Sequence, residues 1–277
     1  MLRQIQEENP YVSINTRYST ASSYFYAHSV NVATLSLLLT DGLGWEEEDR
    51  ILLGTAALLH EVGMSRFLHL AQAPRELTSE ERKEIRLHPL ASQELLGHIQ
   101  NTEESLKNML SEIVGQVHER ANGSGYPHGI GREKINLGAQ IIGLCDIYEA
   151  LSHPRNWRNA MLPHDAIKLI LRDNAEEFDR HLLKALLEQL SLYPPGSYVR
   201  LSTHEIGRVL QVNPSFPTRP LVEIRIQADK TKEDPPKIVN LLKRPLIHVS
   251  QAVDETQIAV KDPRLRLQFE ASRWWTD

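Results

Sequence analysis

Imidazole and carboxylate side chains recur along the first 150 residues, on segments with the periodicity of successive helices. The set comprises His28, His60, Glu61, His88, His118 and Asp146. Most of them lie beside apolar stripes, where burying an unpaired charged or imidazole group is costly. A cluster of this kind in a helical core is how proteins build binuclear sites for first-row metals, and such sites hydrolyse phosphate esters. The alternative is a polar core network in which every member needs a hydrogen-bond partner.

Hydrophobic periodicity predicts helices over most of the first 190 residues. We expect them at about 22–39, 46–62, 78–88, 89–97, 103–119, 137–151, 163–173 and 179–192. His28 lies on an apolar stripe with Val32 and Leu35. His60 shares a face with Leu53 and Ala57, so both histidines point inward.

Two local signals mark where these helices begin. Thr78 and Glu81 have the spacing of a capping box, and Pro89 suits the first position of a helix. The helix at 103–119 presents a core-facing stripe that we expect to include Leu106 and Val117. His118 lies one step off this stripe, at its edge. The remaining stripe residues are Leu110 and Ile113.

Composition restricts the class of protein. A chain of 277 residues suffices for one large domain with a small one, and a net charge of −5 argues against DNA binding. The single Cys145 excludes an intramolecular disulfide and fits a reducing cytoplasm. No apolar run reaches the length of a membrane span, and the first ten residues are too polar and acidic for a signal peptide. We therefore expect a cytoplasmic protein.

The composition shifts at Tyr193-Pro194-Pro195-Gly196, after which short β-rich runs follow. The runs are 197–202, 205–212, 221–227, 237–242 and 247–253. The sequence predicts a lead segment at 1–21, a helical domain at 22–192, a small antiparallel β appendage at 193–262 and a tail at 263–277.

From about residue 24 to residue 192, the chain resembles the HD-GYP subgroup of the HD-domain metal-dependent phosphohydrolases. The motifs that carry the resemblance are Ala27-His28-Ser29-Val30, Leu58-Leu59-His60-Glu61-Val62-Gly63, His88-Pro89, His118-Glu119-Arg120, Gly123-Ser124-Gly125-Tyr126-Pro127, Asp146-Ile147-Tyr148-Glu149-Ala150-Leu151 and Arg155-Asn156-Trp157-Arg158. The resemblance implies a mainly α fold, an HD-type helical bundle with a small C-terminal β-rich appendage.

The same resemblance implies a bacterial phosphodiesterase that opens cyclic di-GMP to the linear dinucleotide pGpG or cuts onward to GMP. Its cofactor would be one or two ions of iron or manganese. The implied metal ligands are His28, His60, Glu61, His88, His118 and Asp146, with Glu61 and Asp146 also catalytic. The implied substrate-binding residues are Arg120, Gly125, Tyr126, Pro127, Arg155 and Arg158. The Gly-Tyr-Pro loop would shape the substrate site or contact a signalling protein, and a homodimer is an open alternative to a monomer.

The chain departs from the family pattern at four positions. Glu61 stands for the family's aspartate, and Val117 for the first of two adjacent histidines. Met64 stands for a lysine that would neutralise phosphate charge, and Tyr24 for a glutamate that some members use for a third metal. These changes predict a weaker second metal and slow turnover. The competing readings are a weak or inactive module that binds cyclic di-GMP or a partner, and a phosphohydrolase for another nucleotide or phosphoester.

Overall fold

The structure, a computed structural model, describes residues 24–41, 43–153, 160–213, 215–254 and 258. The chain divides into two compact units. The first comprises Met1–Met161 and Lys168–Ala185, and the second comprises Leu162–Ile167 and Leu186–Asp277. Helices build the first unit and an antiparallel sheet builds most of the second, which confirms the predicted fold class. The predicted lead segment and tail lie outside the described residues.

The described residues form nine α-helices, and the bounds predicted for eight of them agree with the structure to within about three residues. They are α1 (Tyr24–Asp41), α2 (Glu47–Leu59), α3 (Leu68–Ala71), α4 (Ser79–Ile85), α5 (His88–Gly97), α6 (Glu104–Gln116), α7 (Leu137–Ser152), α8 (Pro163–Asp173) and α9 (Arg180–Leu190). The sequence did not predict the short helix α3 or the 3₁₀ segments at Val62–Phe67 and Arg132–Lys134.

The predicted start signals act as expected. The Thr78 hydroxyl accepts a hydrogen bond from the Glu81 backbone N–H, and the Glu81 carboxylate accepts one from the Thr78 N–H. Pro89 lies in the first turn of α5, where its missing N–H costs nothing. The expectation for Leu106 is wrong: its side chain is 37% exposed, because the first turns of α6 face solvent and burial begins at Leu110.

Helix α7 is the centre of the bundle. Its residues from Gly138 to Glu149 are nearly all buried, and it packs against α1, α2 and α6. Helix α5 packs against α6 and the 3₁₀ segment Val62–Phe67. A polar residue on the inner part of α7 is therefore surrounded by protein, and Asp146 occupies such a position.

One described stretch, Glu47–Ala71, is long and apolar enough to cross a membrane by length and composition alone. In the structure it is not one straight helix, because α2 ends at Leu59 and a 3₁₀ segment precedes α3. Core helices of globular bundles meet the same criterion. The buried His60 within this stretch favours the bundle assignment.

The second unit contains a five-stranded antiparallel sheet in the order β4-β3-β2-β1-β5. Its strands are β1 (Tyr198–Leu201), β2 (Ile206–Gln211), β3 (Leu221–Ile226), β4 (Lys232–Asn240) and β5 (Val249–Val253). Val199, Val209 and Val222 pack in its core. Strand β4 begins five residues before the predicted run, and it contains Pro235 and Pro236. Proline is tolerated there because β4 is an edge strand, which leaves some backbone N–H groups unpaired.

Candidate metal centre

The helical unit brings six predicted ligand side chains to one place. His28 comes from α1, His60 and Glu61 directly follow α2, and His88 begins α5. His118 follows α6, and Asp146 projects from α7. Their side chains are only 0% to 12% exposed, so water cannot solvate them fully.

These side chains form two groups in which all candidate ligand atoms lie within 4.8 Å of one another. One group is His28, His60, Glu61 and Asp146, and the other is Glu61, His88 and His118. Glu61 belongs to both. Its Oε1 atom lies 3.8 Å from His60 Nε2, 3.7 Å from His88 Nε2 and 3.8 Å from His118 Nε2. These separations are too long for direct hydrogen bonds, and the shared carboxylate lies where it could bridge two ions.

Backbone carbonyls fix the tautomers of two histidines. The Nδ1 atom of His60 lies 2.6 Å from the Ala57 oxygen, and that of His88 lies 2.8 Å from the Ile85 oxygen. A carbonyl oxygen only accepts, so each Nδ1 donates a proton and each neutral ring keeps its lone pair on Nε2. Both Nε2 atoms face the cluster, as metal ligands held by a backbone carbonyl do.

Two buried atoms of the cluster lack hydrogen-bond partners among the described residues: His60 Nε2 and Glu61 Oε2. Buried polar atoms are normally satisfied, because desolvation without compensation is costly. Both atoms can donate an electron pair to a cation: the Nε2 lone pair of His60 and the Oε2 oxygen of Glu61. The residues present therefore fit a divalent metal, which would satisfy both atoms together.

Sequence reasoning missed Glu149, which lies one helical turn after Asp146 and is fully buried. Its Oε2 atom lies 2.6 Å from His28 Nδ1, and its Oε1 atom accepts a hydrogen bond from Asn31 Nδ2 at 3.1 Å. His153 extends the same network, 3.4 Å from Asn31 Nδ2. A charged residue on the buried face of an apolar helix was the available signal for this network.

Burial and neighbouring charge set the ionisation of the cluster. Burial on its own lowers the pKa of His28, but hydrogen bonds to Asp146 and Glu149 outweigh it and raise that pKa to about 10. Burial opposes ionisation of Asp146, yet its hydrogen bond to His28 brings its pKa below the usual range. Burial lowers the pKa of His60, and that of His118 to about 3. His60 and His118 are therefore neutral at pH 7, and the Nε2 lone pair of His60 is available to a metal. His118 Nε2 lies 2.9 Å from His88 Nε2 and donates a hydrogen bond to it, because the proton of His88 is on Nδ1.

Tyr126 of the Gly-Tyr-Pro loop covers the second ligand group, which is Glu61, His88 and His118. The Tyr126 ring stacks on the His118 ring, with centroids 4.8 Å apart and planes 9° apart. Its backbone N–H donates to the His118 carbonyl at 3.1 Å. Burial raises the pKa of the Tyr126 hydroxyl, which therefore stays protonated at neutral pH. The loop residue thus has a fixed position beside a candidate ligand.

Glu119 anchors the same loop, a role that the sequence did not indicate. Its buried carboxylate accepts hydrogen bonds from the backbone N–H groups of His128 at 2.7 Å and Ile130 at 3.1 Å. Gly125 allows the close approach of the loop, since a Cβ there would lie 2.4 Å from the Arg120 nitrogen. The buried Glu119 carboxylate therefore fixes the backbone of the loop by hydrogen bonds.

An open cavity of about 280 Å³ lies over the cluster. It is lined by Glu61, Met64, Ile85, His88, His118, Arg120, Tyr126, Asp146, Ile147 and Ala150. Two predicted substrate residues, Arg120 and Tyr126, lie in this lining, whereas Gly125 and Pro127 contribute to the loop. Arg155 and Arg158 lie outside the described residues.

The structure shows where two residues that depart from the family pattern, Val117 and Met64, lie relative to the cluster. Val117 is buried, so its side chain fills core space rather than offering a ligand. Met64 lines the cavity without charge. Arg66 does not replace the missing lysine, because its guanidinium makes two hydrogen bonds to the Glu94 carboxylate, at 2.6 Å and 2.9 Å.

Comparison with known proteins shows the family of the chain. The family model described as HD domain matches residues 14–182, more than half of the chain. The chain belongs to the HD-domain family. HD-domain proteins are metal-dependent, and the cluster of His, Glu and Asp side chains is the candidate metal site of this chain. A second model, described as a KOW domain associated with HD domain, matches residues 198–261.

Curated relatives of this HD-domain chain are cyclic-dinucleotide phosphodiesterases. Cyclic di-GMP phosphodiesterase PA4108 of Pseudomonas aeruginosa is 28% identical over 81% of this chain and 53% of its own length. Cyclic di-GMP phosphodiesterase PdeB of Borreliella burgdorferi is 25% identical over 76% and 54%, respectively. The 3'3'-cGAMP-specific phosphodiesterase 3 of Vibrio cholerae is 32% identical over 62% and 37%. The chain thus spans about half the length of the first two relatives and less of the third.

Among solved structures, Bd1817, described as an HDG"Y"P protein from Bdellovibrio bacteriovorus, matches with a TM-score of 0.56. It is 20% identical and the match covers 67% of this chain and 58% of that one, which shows a common fold. Together with the family match, these comparisons confirm the resemblance to HD-GYP proteins.

Proposed function

We propose that this HD domain is a metal-dependent phosphodiesterase that hydrolyses cyclic di-GMP to pGpG or onward to GMP. The observation that carries the proposal is the Glu61 carboxylate, shared by two groups of buried ligand atoms under an open cavity. Metal pairs that share a ligand hold both sides of a phosphodiester during in-line displacement. The names of the curated relatives support the choice of a cyclic dinucleotide.

We assign the metal ligands to His28, His60, Glu61, His88, His118 and Asp146. The metal would be iron or manganese, one or two ions, as the resemblance to HD-GYP proteins implies, and imidazole and carboxylate ligands are compatible with both metals. Three of the imidazole rings are held in orientation by a contact at Nδ1. The contact is with the Glu149 carboxylate for His28, with the Ala57 carbonyl for His60 and with the Ile85 carbonyl for His88. Little reorganisation is then needed when metal binds.

A bound divalent metal lowers the pKa of water and offsets negative charge on phosphate. Glu61 and Asp146 would orient the groups at the reacting phosphorus, because both carboxylates line the cavity and stay ionised. Tyr126 would exclude water on one side of the site. Met64 cannot donate a proton to the leaving ribose oxygen, so that proton would come from solvent and turnover would be slow.

The remaining assignments concern the substrate site, a partner surface, the oligomeric state and the location of the protein. Arg120 and the loop residues Gly125, Tyr126 and Pro127 would shape the substrate site, with Arg155 and Arg158 supplying phosphate contacts. The exposed part of the loop, around His128, is the surface we propose for a signalling partner.

We also propose that the protein forms a homodimer and that it is cytoplasmic. The single, buried Cys145 supports the cytoplasmic location. A weak or inactive binding module remains the second candidate, favoured by Val117 and Met64.

Product analysis tests the proposed reaction. Protein loaded with manganese or iron is incubated with cyclic di-GMP, and the nucleotides are separated by chromatography. We expect pGpG, GMP or both from the wild type and no product from Asp146→Asn. Intact cyclic di-GMP that binds to a metal-loaded wild type without being cut would instead support the binding module.

A further inference from the structure

Most cationic side chains near the cavity are already paired. Arg66 binds the Glu94 carboxylate. Arg120 lies 3.3 Å from the Glu177 carboxylate and donates to backbone carbonyls, although it lines the cavity. In the described part of the chain, Arg86 has no carboxylate partner. A cation without a carboxylate partner beside the proposed phosphodiester site is a candidate for binding the substrate.

Arg86 lies at the rim of the cavity. It directly follows Ile85, which lines the cavity, and it precedes His88 by two residues. Its Cζ atom lies 5.3 Å from the centroid of the Tyr126 ring, which in turn stacks on His118. Continuous contacts therefore connect the Arg86 guanidinium to a candidate metal ligand.

The contact with Tyr126 leaves the hydrogen-bonding capacity of Arg86 intact. A cation over an aromatic ring is held by the electrostatics of the ring face, without using its N–H groups. The guanidinium has five N–H donors in a planar fork, the geometry that binds phosphate oxygens in pairs. The side chain is solvent-exposed, so a ligand can reach it.

A cyclic dinucleotide carries two phosphodiester groups, each with one negative charge. Only one of them can lie at the metal cluster during cleavage. The cavity of about 280 Å³ is at the small end for a ligand pocket, so a cyclic dinucleotide must extend over its rim. Met64, inside the cavity, offers no charge to the second phosphodiester.

We propose that Arg86, positioned by Tyr126, binds the phosphodiester group of the substrate that is not at the metal cluster. This inference rests on the proposed function and adds a substrate-binding residue to it. It selects substrates with two phosphodiester groups over substrates with one, since only the former reach both the cluster and the rim.

The test compares two substrates of the metal-loaded enzyme: cyclic di-GMP, with two phosphodiesters, and bis(p-nitrophenyl) phosphate, with one. For Arg86→Gln we expect kcat/KM for cyclic di-GMP to fall by about tenfold more than kcat/KM for the single phosphodiester, mainly through KM. Arg86→Lys should recover part of the loss, because it keeps the charge without the fork. Arg82→Gln, in helix α4, which ends directly before Arg86, is the matched control; Arg82 is paired with Glu76, and the change should alter neither value.

The outcomes separate this inference from the proposed function. An equal fall in kcat/KM for both substrates in Arg86→Gln, or a loss of bound metal, would overturn the inference. The proposed phosphodiesterase activity would be unaffected by either result. A wild type that binds cyclic di-GMP without cutting it would overturn the proposed reaction, and weaker equilibrium binding by Arg86→Gln would still support the inference. A wild type that cuts only the single phosphodiester and does not bind cyclic di-GMP would overturn both the inference and the proposed substrate.

Discussion

The Glu149 carboxylate holds the His28 imidazole, with Oε2 2.6 Å from Nδ1 and both side chains buried. This contact directs the other ring nitrogen, Nε2, to a position 3.2 Å from Asp146 Oδ1. Carboxylates in this arrangement fix the ring orientation of metal-bound histidines and raise their basicity. Glu149 is therefore a positioning residue of the candidate site.

Replacing Glu149 with Gln should weaken metal binding by about 10- to 100-fold, the usual effect of losing such a contact. The change keeps the size of the side chain and removes its charge. Competition with a chelator of known affinity measures the loss. Glu80→Gln, at an exposed ion pair with Lys83, is the control and should bind metal as the wild type does. Equal affinity for Glu149→Gln and the wild type would contradict the positioning role.

Introducing a lysine at Met64 should raise kcat by about tenfold or more, because a positioned proton donor contributes at least that much to many hydrolases. The Met64 side chain lines the cavity over the cluster, so an ammonium group at this position would face bound substrate. Met109→Lys, at an exposed position away from the cluster, is the matched control. Adding Val117→His tests the missing ligand as well. A double variant that binds metal without any gain in turnover would refute this explanation of slow activity.

The loop requires glycine at position 125. A Cβ on Gly125 would lie 2.4 Å from the Arg120 nitrogen and 2.5 Å from the His118 oxygen, so the loop must shift. Gly125→Ala should reduce kcat/KM by about tenfold or more, because Tyr126 would leave His118. Gly131→Ala, where a Cβ meets nothing within 4 Å, should retain normal activity and melting temperature. Similar kinetics for the two variants would show that the loop position does not matter for catalysis.

The charge of His28 should affect the stability of metal-free protein. Its folded pKa of about 10 exceeds the ordinary value of 6.5, so the protonated form is stabilised by folding. This contribution is complete below pH 6.5 and is lost as the pH rises through 10. The free energy of unfolding, measured by denaturant titration with a chelator present, should therefore fall over this range. His28→Gln should lose this dependence, and His69→Gln, which is exposed, should keep it. An identical pH dependence in His28→Gln would contradict the assignment.

The sequence predicted the features that depend on local spacing. The capping box of Thr78 and the inward faces of His28 and His60 follow from patterns within a few turns of one helix. The prediction for Leu106 failed because helical periodicity shows which face is apolar but not how far the neighbouring helices extend. The early start of β4 was missed because proline is a breaker except at an edge, and edge position is a property of the whole sheet.

The missing parts of the candidate site are long-range contacts. Glu149 meets His28 across 121 positions of sequence. Arg86 meets the Tyr126 ring across a loop whose path depends on the buried Glu119. No local pattern reports such pairings. The resemblance to a known family supplied the ligand set, and the packed structure was needed to show which other residues position it.

The most direct test of the account is the metal content of anaerobically purified protein, measured together with cyclic di-GMP hydrolysis in the presence of iron and of manganese. We expect one or two metal ions per chain, the second bound more weakly, and formation of linear product, since Glu61 joins two ligand groups. Folded protein with no bound metal and no turnover would contradict the central claim.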